Sequence, residues 1–169
     1  MRYEYAALLF VHLAAGILWA GGAIVAGFFM LPAVLEAGPA GGAVMSGVTT
    51  RKFPQIMTVA ALLVLLSGAR LYMIRFTLEW VMSTEGVMLT VAALLAIAAL
   101  LMGFFVQKPT AMRMGALAAQ IKAAGAPPTP EQMAEMKALG EKLGKIARVA
   151  AWHLVAAALL MASHRLAVV

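Results

Sequence analysis

Cysteine is missing from all 169 residues, which excludes disulfides, thiolate-bound metals and iron–sulfur clusters at the outset. Charge is scarce too: Asp, Glu, Lys and Arg make up 12% of the chain, against 64% for hydrophobic residues. A soluble domain of this size has too much surface for its volume to hide that much apolar material. Glu4, Glu36, Glu79 and Glu85 stand at the ends of apolar runs. No carboxylate pair therefore lies inside a run, which argues against acid–base hydrolysis. The glycine-rich runs do not lead to a phosphate-binding lysine, and no long internal repeat is visible. The opening "MRYEY" mixes charge signs and is not followed by a short apolar core with a small-residue cleavage site, so it does not read as a cleaved signal.

What the chain does contain is long apolar segments, with a mean hydropathy of +0.94. About 20 such residues cross the hydrocarbon of a bilayer as a helix, and backbone groups in lipid must be satisfied within the segment. Four segments qualify: 5–31, stopping near Pro32, then 54–80, 86–107 and 146–168. The expected architecture is an all-α integral membrane four-helix bundle forming one domain over 1–169.

The connectors differ in kind. "EAGPAGGAVMSGVTTRK" is glycine-rich with room for a short surface helix, and the second link is little more than "STE". The last link, about 108–145, is rich in Ala, Leu, Lys, Glu and Met, which favours helix. "GAPPTP" breaks it, after which Thr129 reads as an N-cap, Pro130 as the first helical residue and Gln132 as the capping-box partner. The third and fourth helices are therefore expected to project from the membrane as a hairpin, the helix from Pro130 running unbroken into the fourth span.

Lys and Arg crowd two loops. Arg51 and Lys52 lie in the first; Lys108, Arg113, Lys122, Lys137, Lys142 and Lys145 lie in the third, with Arg148 just inside the next span. The other side holds Arg2, Arg75 and Arg165. The positive-inside rule makes the hairpin cytoplasmic and puts both termini outside, in a bacterial-type inner (plasma) membrane. That distribution accounts for the net charge of +6 without a nucleic-acid partner; the partner is the lipid bilayer.

Ionisable groups inside spans are functional candidates: His12, His153, His164, Arg70 and Arg75, with Arg165 near the end. At about 1.5 Å rise per residue, His12 lies roughly 9 Å and His164 roughly 10 Å outward of their helix midpoints. Arg70 shares that outer layer. His153 lies roughly 15 Å from His12 along the bundle normal, so it substitutes for His164 only if a span boundary moves by several residues. Two imidazoles at one depth suit the axial positions of a haem b. Arg70 and Arg75 suit its propionates, and Trp19 suits a pocket wall. Gly16, Ala20, Ala23 and Gly27 let a macrocycle or another helix come close. Duller readings stand beside these. A lone imidazole can hydrogen-bond a neighbouring helix, and the arginines can pair with Glu79 and Glu85. Thirteen methionines admit copper, since thioethers suit Cu(I); Met30, Met57, Met102 and Met161 are buried candidates, and Met73, Met82 and Met88 cluster toward the outer end.

The stretch "HLAAGILWAGG" resembles the opening helix of the superfamily of small four-helix membrane proteins that holds the copper-resistance protein D (CopD) family and the HemJ-type protoporphyrinogen oxidases. His12, Trp19, Gly21 and Gly22 match its pattern of His, six residues, Trp and a small pair. "RKFP" at 51–54 and "LLSGARLY" at 65–72 are similar to the CopD-like entry and outer turn of helix two. The resemblance spans roughly the first half of the chain and implies a haem- or copper-associated protein with His12 as a ligand. The third-helix lysine of the HemJ type has no counterpart in "GVMLTVAALLAIAALLMGFF".

Three readings follow. The first is a b-haem protein relaying electrons near the outer face, to quinone or another redox partner, with His12 and His164 on the iron. The second is a copper-handling protein using His12 and methionines. The third is a non-catalytic accessory or assembly subunit, in a homo-oligomer or larger complex, whose hairpin docks a partner.

Overall fold

The computed structural model describes residues 2–163, and among them there is helix but no strand. Four helices are long and apolar enough to cross a membrane: α1 (Arg2–Glu36), α3 (Phe53–Arg75), α5 (Thr84–Ala124) and α6 (Pro130–Ser163). Two shorter ones join them, α2 (Pro39–Thr50) and α4 (Leu78–Met82). Neighbours along the chain run antiparallel. Down α1, Glu4 meets Arg70 of α3, His12 meets Val64 and Gly22 meets Met57. Against α6, Gly27 meets Ala147 and Leu35 meets Gly140.

Membrane chemistry shows in what is inside. The interior is built from small side chains, with Ala60, Ala61, Ala96, Ala99 and Ala150 around the single large Trp19. Phe10 is 74%, Ile17 76% and Phe105 71% exposed. Helices in lipid gain little from hiding apolar side chains and associate by close packing, which small residues permit. At Gly27 the backbones of α1 and α6 come close: a Cβ there would stand 3.0 Å from the Ala147 carbonyl oxygen. On α6 the buried stripe Gly140, Leu143, Gly144, Ala147, Ala150, Ala151, Leu154 and Ala157 recurs at steps of three and one.

One span boundary differs from the sequence expectation at a proline, and a second proline is passed in the same way. Pro32 does not stop α1, nor does Pro109 interrupt α5; both helices continue to Glu36 and Ala124. Each proline follows a stretch of wider, π-type turns, Val25–Met30 and Gly103–Gln107. In each, the residue just before the proline donates five residues back, Leu31 to Ala26 and Lys108 to Gly103. Widening the turn displaces the carbonyl that the pyrrolidine ring would otherwise strike.

The second span is shorter than expected. α3 ends at Arg75, not Trp80, because Phe76 and Thr77 are extended. Thr77 caps a separate short helix, its hydroxyl oxygen accepting from the Trp80 N–H at 3.1 Å. Gly86 must be glycine here, since a Cβ would strike the Trp80 carbonyl.

At the opposite end the hairpin forms as expected. Gly125 closes α5 in the left-handed region at φ 63°. Thr129 and Gln132 then exchange hydrogen bonds, the Thr129 N–H donating to Gln132 Oε1 at 3.0 Å and the Gln132 N–H to Thr129 Oγ1 at 3.2 Å. The 34 residues of α6 span about 51 Å, longer than a hydrocarbon layer of about 30 Å. Arg113 pairs with Glu135 at 2.6 Å across the two helices. α2 lies in the glycine-rich connector, where Gly38, at φ 57° and ψ −128°, makes the bend that admits it.

Candidate functional site

His12 sits on α1 where it faces α3. Its Nδ1 is 3.0 Å from the Val64 carbonyl oxygen and 3.1 Å from Ser67 Oγ. Ser67 is buried, and its hydroxyl donates back along α3 to the Leu63 carbonyl. With that proton directed at Leu63, the Ser67 oxygen is an acceptor, and Val64 O accepts by nature. Both neighbours therefore call for an N–H at Nδ1, which assigns the tautomer with a lone pair on Nε2. Nε2 makes no hydrogen bond among the described residues.

The ring lies flat against α3 because residue 68 is glycine. A Cβ on Gly68 would stand 2.8 Å from His12 Cε1 and 3.2 Å from Nδ1. Ala69 beside Gly68 and Ala93 and Ala96 on α5 are also small. Between them lies an apolar cavity of about 100 Å³ lined by His12, Gly68, Ala69, Ala93, Ile97 and Met161, among others. It is a seam where four helices meet: α1 and α3 pack along their length, as do α5 and α6, while α3 and α5 touch much less. Among the described lining residues, His12 and Met161 are the ones whose side chains carry a nitrogen or sulfur donor.

The other expected site residues fall elsewhere. Arg70 donates from Nε and Nη2 to Glu4 Oε1, at 3.0 and 2.6 Å. Arg75 holds Glu85 in a two-pronged contact at 2.6 and 2.9 Å, and Trp80 Nε1 donates to the same carboxylate at 3.2 Å. Tyr72 stacks edge-on to Trp80 and shares a 2.7 Å hydrogen bond with Thr90, tying α3 to α5. The guanidiniums expected to meet propionates are thus bound to carboxylates at the end of the bundle. Trp19 belongs to the alanine-rich interior rather than to the cavity wall.

His153 is half-buried, with Nδ1 2.8 Å from the Val149 carbonyl of its own helix, and it does not line the cavity. His164 and Arg165 lie outside the described residues. Among the described residues no three His, Asp or Glu side chains gather as a metal-binding group. Of the methionines, Met161 reaches the cavity, Met102 packs on the interior, and Met73 and Met82 are exposed.

Ser67 and Gly68 are the site residues that sequence reasoning did not single out. Their signal was present in "LLSGARLY": a hydroxyl beside a glycine in an apolar helix marks a place where another group comes close. Comparison of the chain with protein-family models, with curated proteins and with solved structures finds no match.

Proposed function

We propose that this is a copper-handling membrane protein whose His12 Nε2 and Met161 thioether hold Cu(I) in the seam between the helices. One observation carries the reading: His12, with its Nδ1 occupied, and Met161 line the same small apolar cavity. Imidazole and thioether are the soft, neutral donors that suit Cu(I). A carbonyl on the far ring nitrogen is the usual outer support of a histidine ligand. A singly charged soft ion also loses less on leaving water than a dication does. The positive hairpin end supports a cytoplasmic hairpin with both termini outside, in a bacterial-type inner membrane.

Two observations favour copper over a haem b in this reading. A porphyrin has several times the volume of a cavity of about 100 Å³, and Arg70 and Arg75 are held by Glu4 and Glu85. His12 with a haem would need α3 and α5 to stand farther apart.

The test is metal analysis together with an absorbance spectrum of detergent-purified protein from cells given both copper and haem precursors. The expected result is stoichiometric copper that disappears in His12→Ala, with no Soret band. A Soret band lost in His12→Ala would replace copper with haem and electron relay. Colourless, metal-free protein would leave the accessory-subunit reading, and with it a partner at the hairpin.

A further inference from the structure

The geometry points to Ser67 and Gly68 as positioning residues that select which nitrogen of His12 is basic and hold its ring against α3 beside the cavity. This rests on the proposed role of His12 as a ligand, but it concerns the metal-free protein and is tested there.

The two residues act by different means. Gly68 acts by having no side chain. A methyl group at this position would stand 2.8 Å from His12 Cε1, inside van der Waals contact, so the ring would have to swing off α3. Swinging would stretch Nδ1 away from both of its acceptors, 3.0 and 3.1 Å distant. Ser67 acts by the direction of its proton. If the hydroxyl donated to Nδ1, the imidazole proton would move to Nε2, which would then carry hydrogen instead of a lone pair. The Leu63 carbonyl, four residues back on the same helix, takes that proton instead. Such back-bonding to the preceding turn is an ordinary habit of serine in a helix. The Val64 carbonyl adds a second acceptor that a bare Nδ1 lone pair would repel. A serine–glycine pair on α3 thereby dictates the chemistry of an imidazole on α1.

Nitrogen-15 NMR of selectively labelled histidine in the metal-free, detergent-purified protein reads the tautomer directly, and His12→Ala assigns the signal. The wild-type chain should show His12 protonated at Nδ1 and bare at Nε2. A wild-type His12 with its proton on Nε2 would overturn the inference, whatever copper does. Gly68→Ala should lose the single tautomer and, by the usual cost of disturbing a ligand's outer support, weaken Cu(I) binding about ten- to a hundred-fold. Ser67→Ala removes one acceptor and keeps the glycine, so it guards against a Gly68 variant that does not fold. It should blur the tautomer while leaving thermal unfolding nearly unchanged, and Ser67→Thr should restore it. A sharp wild-type tautomer in both Ser67→Ala and Gly68→Ala would overturn the inference as well. The assigned tautomer in a protein that binds no copper would instead defeat the copper reading and leave the positioning role standing.

Discussion

His12 and His153 each set Nδ1 beside a carbonyl oxygen, Val64 at 3.0 Å and Val149 at 2.8 Å, yet the regions around them differ in kind. The Val149 carbonyl is four residues back on the same helix, so the His153 contact is local and would survive in α6 alone. The Val64 carbonyl is 52 residues away in sequence, and the His12 contact exists only because α1 and α3 approach over Ser67 and Gly68. One imidazole is held at the flank of its own helix, and the other is handed to a cavity shared by four helices. A hydrogen bond within a helix orients a side chain; one between helices gives it a location relative to other chemistry.

The widest separation between the two regions should appear in metal binding. Replacing His12 with Ala should abolish Cu(I) binding in detergent, measured by competition with a chelator, whereas replacing His153 should not change it. Equal losses from both would erase the distinction.

The next largest effect concerns how closely α1 meets α6. Gly27→Leu places a side chain where Ala147 backbone atoms stand 3.0 to 3.2 Å from a Cβ position. Overpacking of this kind costs about 1–3 kcal/mol, so the variant should unfold at lower temperature and lose copper with the fold. A Gly27→Leu protein as stable as wild type would show that the two helices are free to part.

The hairpin end supplies a control remote from the cavity. Thr129→Ala removes the N-cap of α6 and should destabilise the hairpin by about 1 kcal/mol, seen as faster amide exchange over the first turns of α6. Cu(I) affinity should stay unchanged. A fall in affinity would mean that the two ends are coupled.

A smaller effect at the same end depends on pH. The Glu131 carboxyl is held below its ordinary value of 4.5 by its own backbone N–H and then by the Thr129 hydroxyl. Because the folded value is the lower one, this support is complete above pH 4.5 and is lost as pH falls through the folded value. Protection factors at the start of α6 should drop with acid in the wild type and less so in Glu131→Gln. The carboxyl is fully exposed, so the change should be slight. Equal slopes in the two proteins would remove Glu131 from the cap.

His153→Ala should have the smallest effect, with thermal unfolding close to wild type, since the bond it removes is local and half-exposed.

These contrasts also mark what could be read from residues in order. The hairpin cap was legible because Thr129, Pro130 and Gln132 carry their partners within three residues. The spans were legible because hydropathy adds up along a segment. The ends of α1 and α3 were less so: Pro32 looks like a stop until the wider turns before it accommodate the ring, and Thr77 starts a new helix inside an apolar run. At the site, His12 stood out as an imidazole in a span, and Met161 as one of several methionines. Which methionine would line its cavity was not legible, nor that Glu4 would hold Arg70, whereas the pairing of Arg75 with Glu85 was among the readings of the sequence.

The chain by itself determined a helical membrane protein with a capped, positively charged hairpin, because helix formation in lipid, capping and charge distribution each act over a few residues or sum along a segment. The tertiary structure alone decided that His12 leans on Ser67 and Gly68, that Met161 shares its cavity, and that Arg70 goes to Glu4. Those outcomes depend on how closely α1, α3, α5 and α6 approach one another. That distance is set by small residues far apart in sequence, whose effect appears only when they meet.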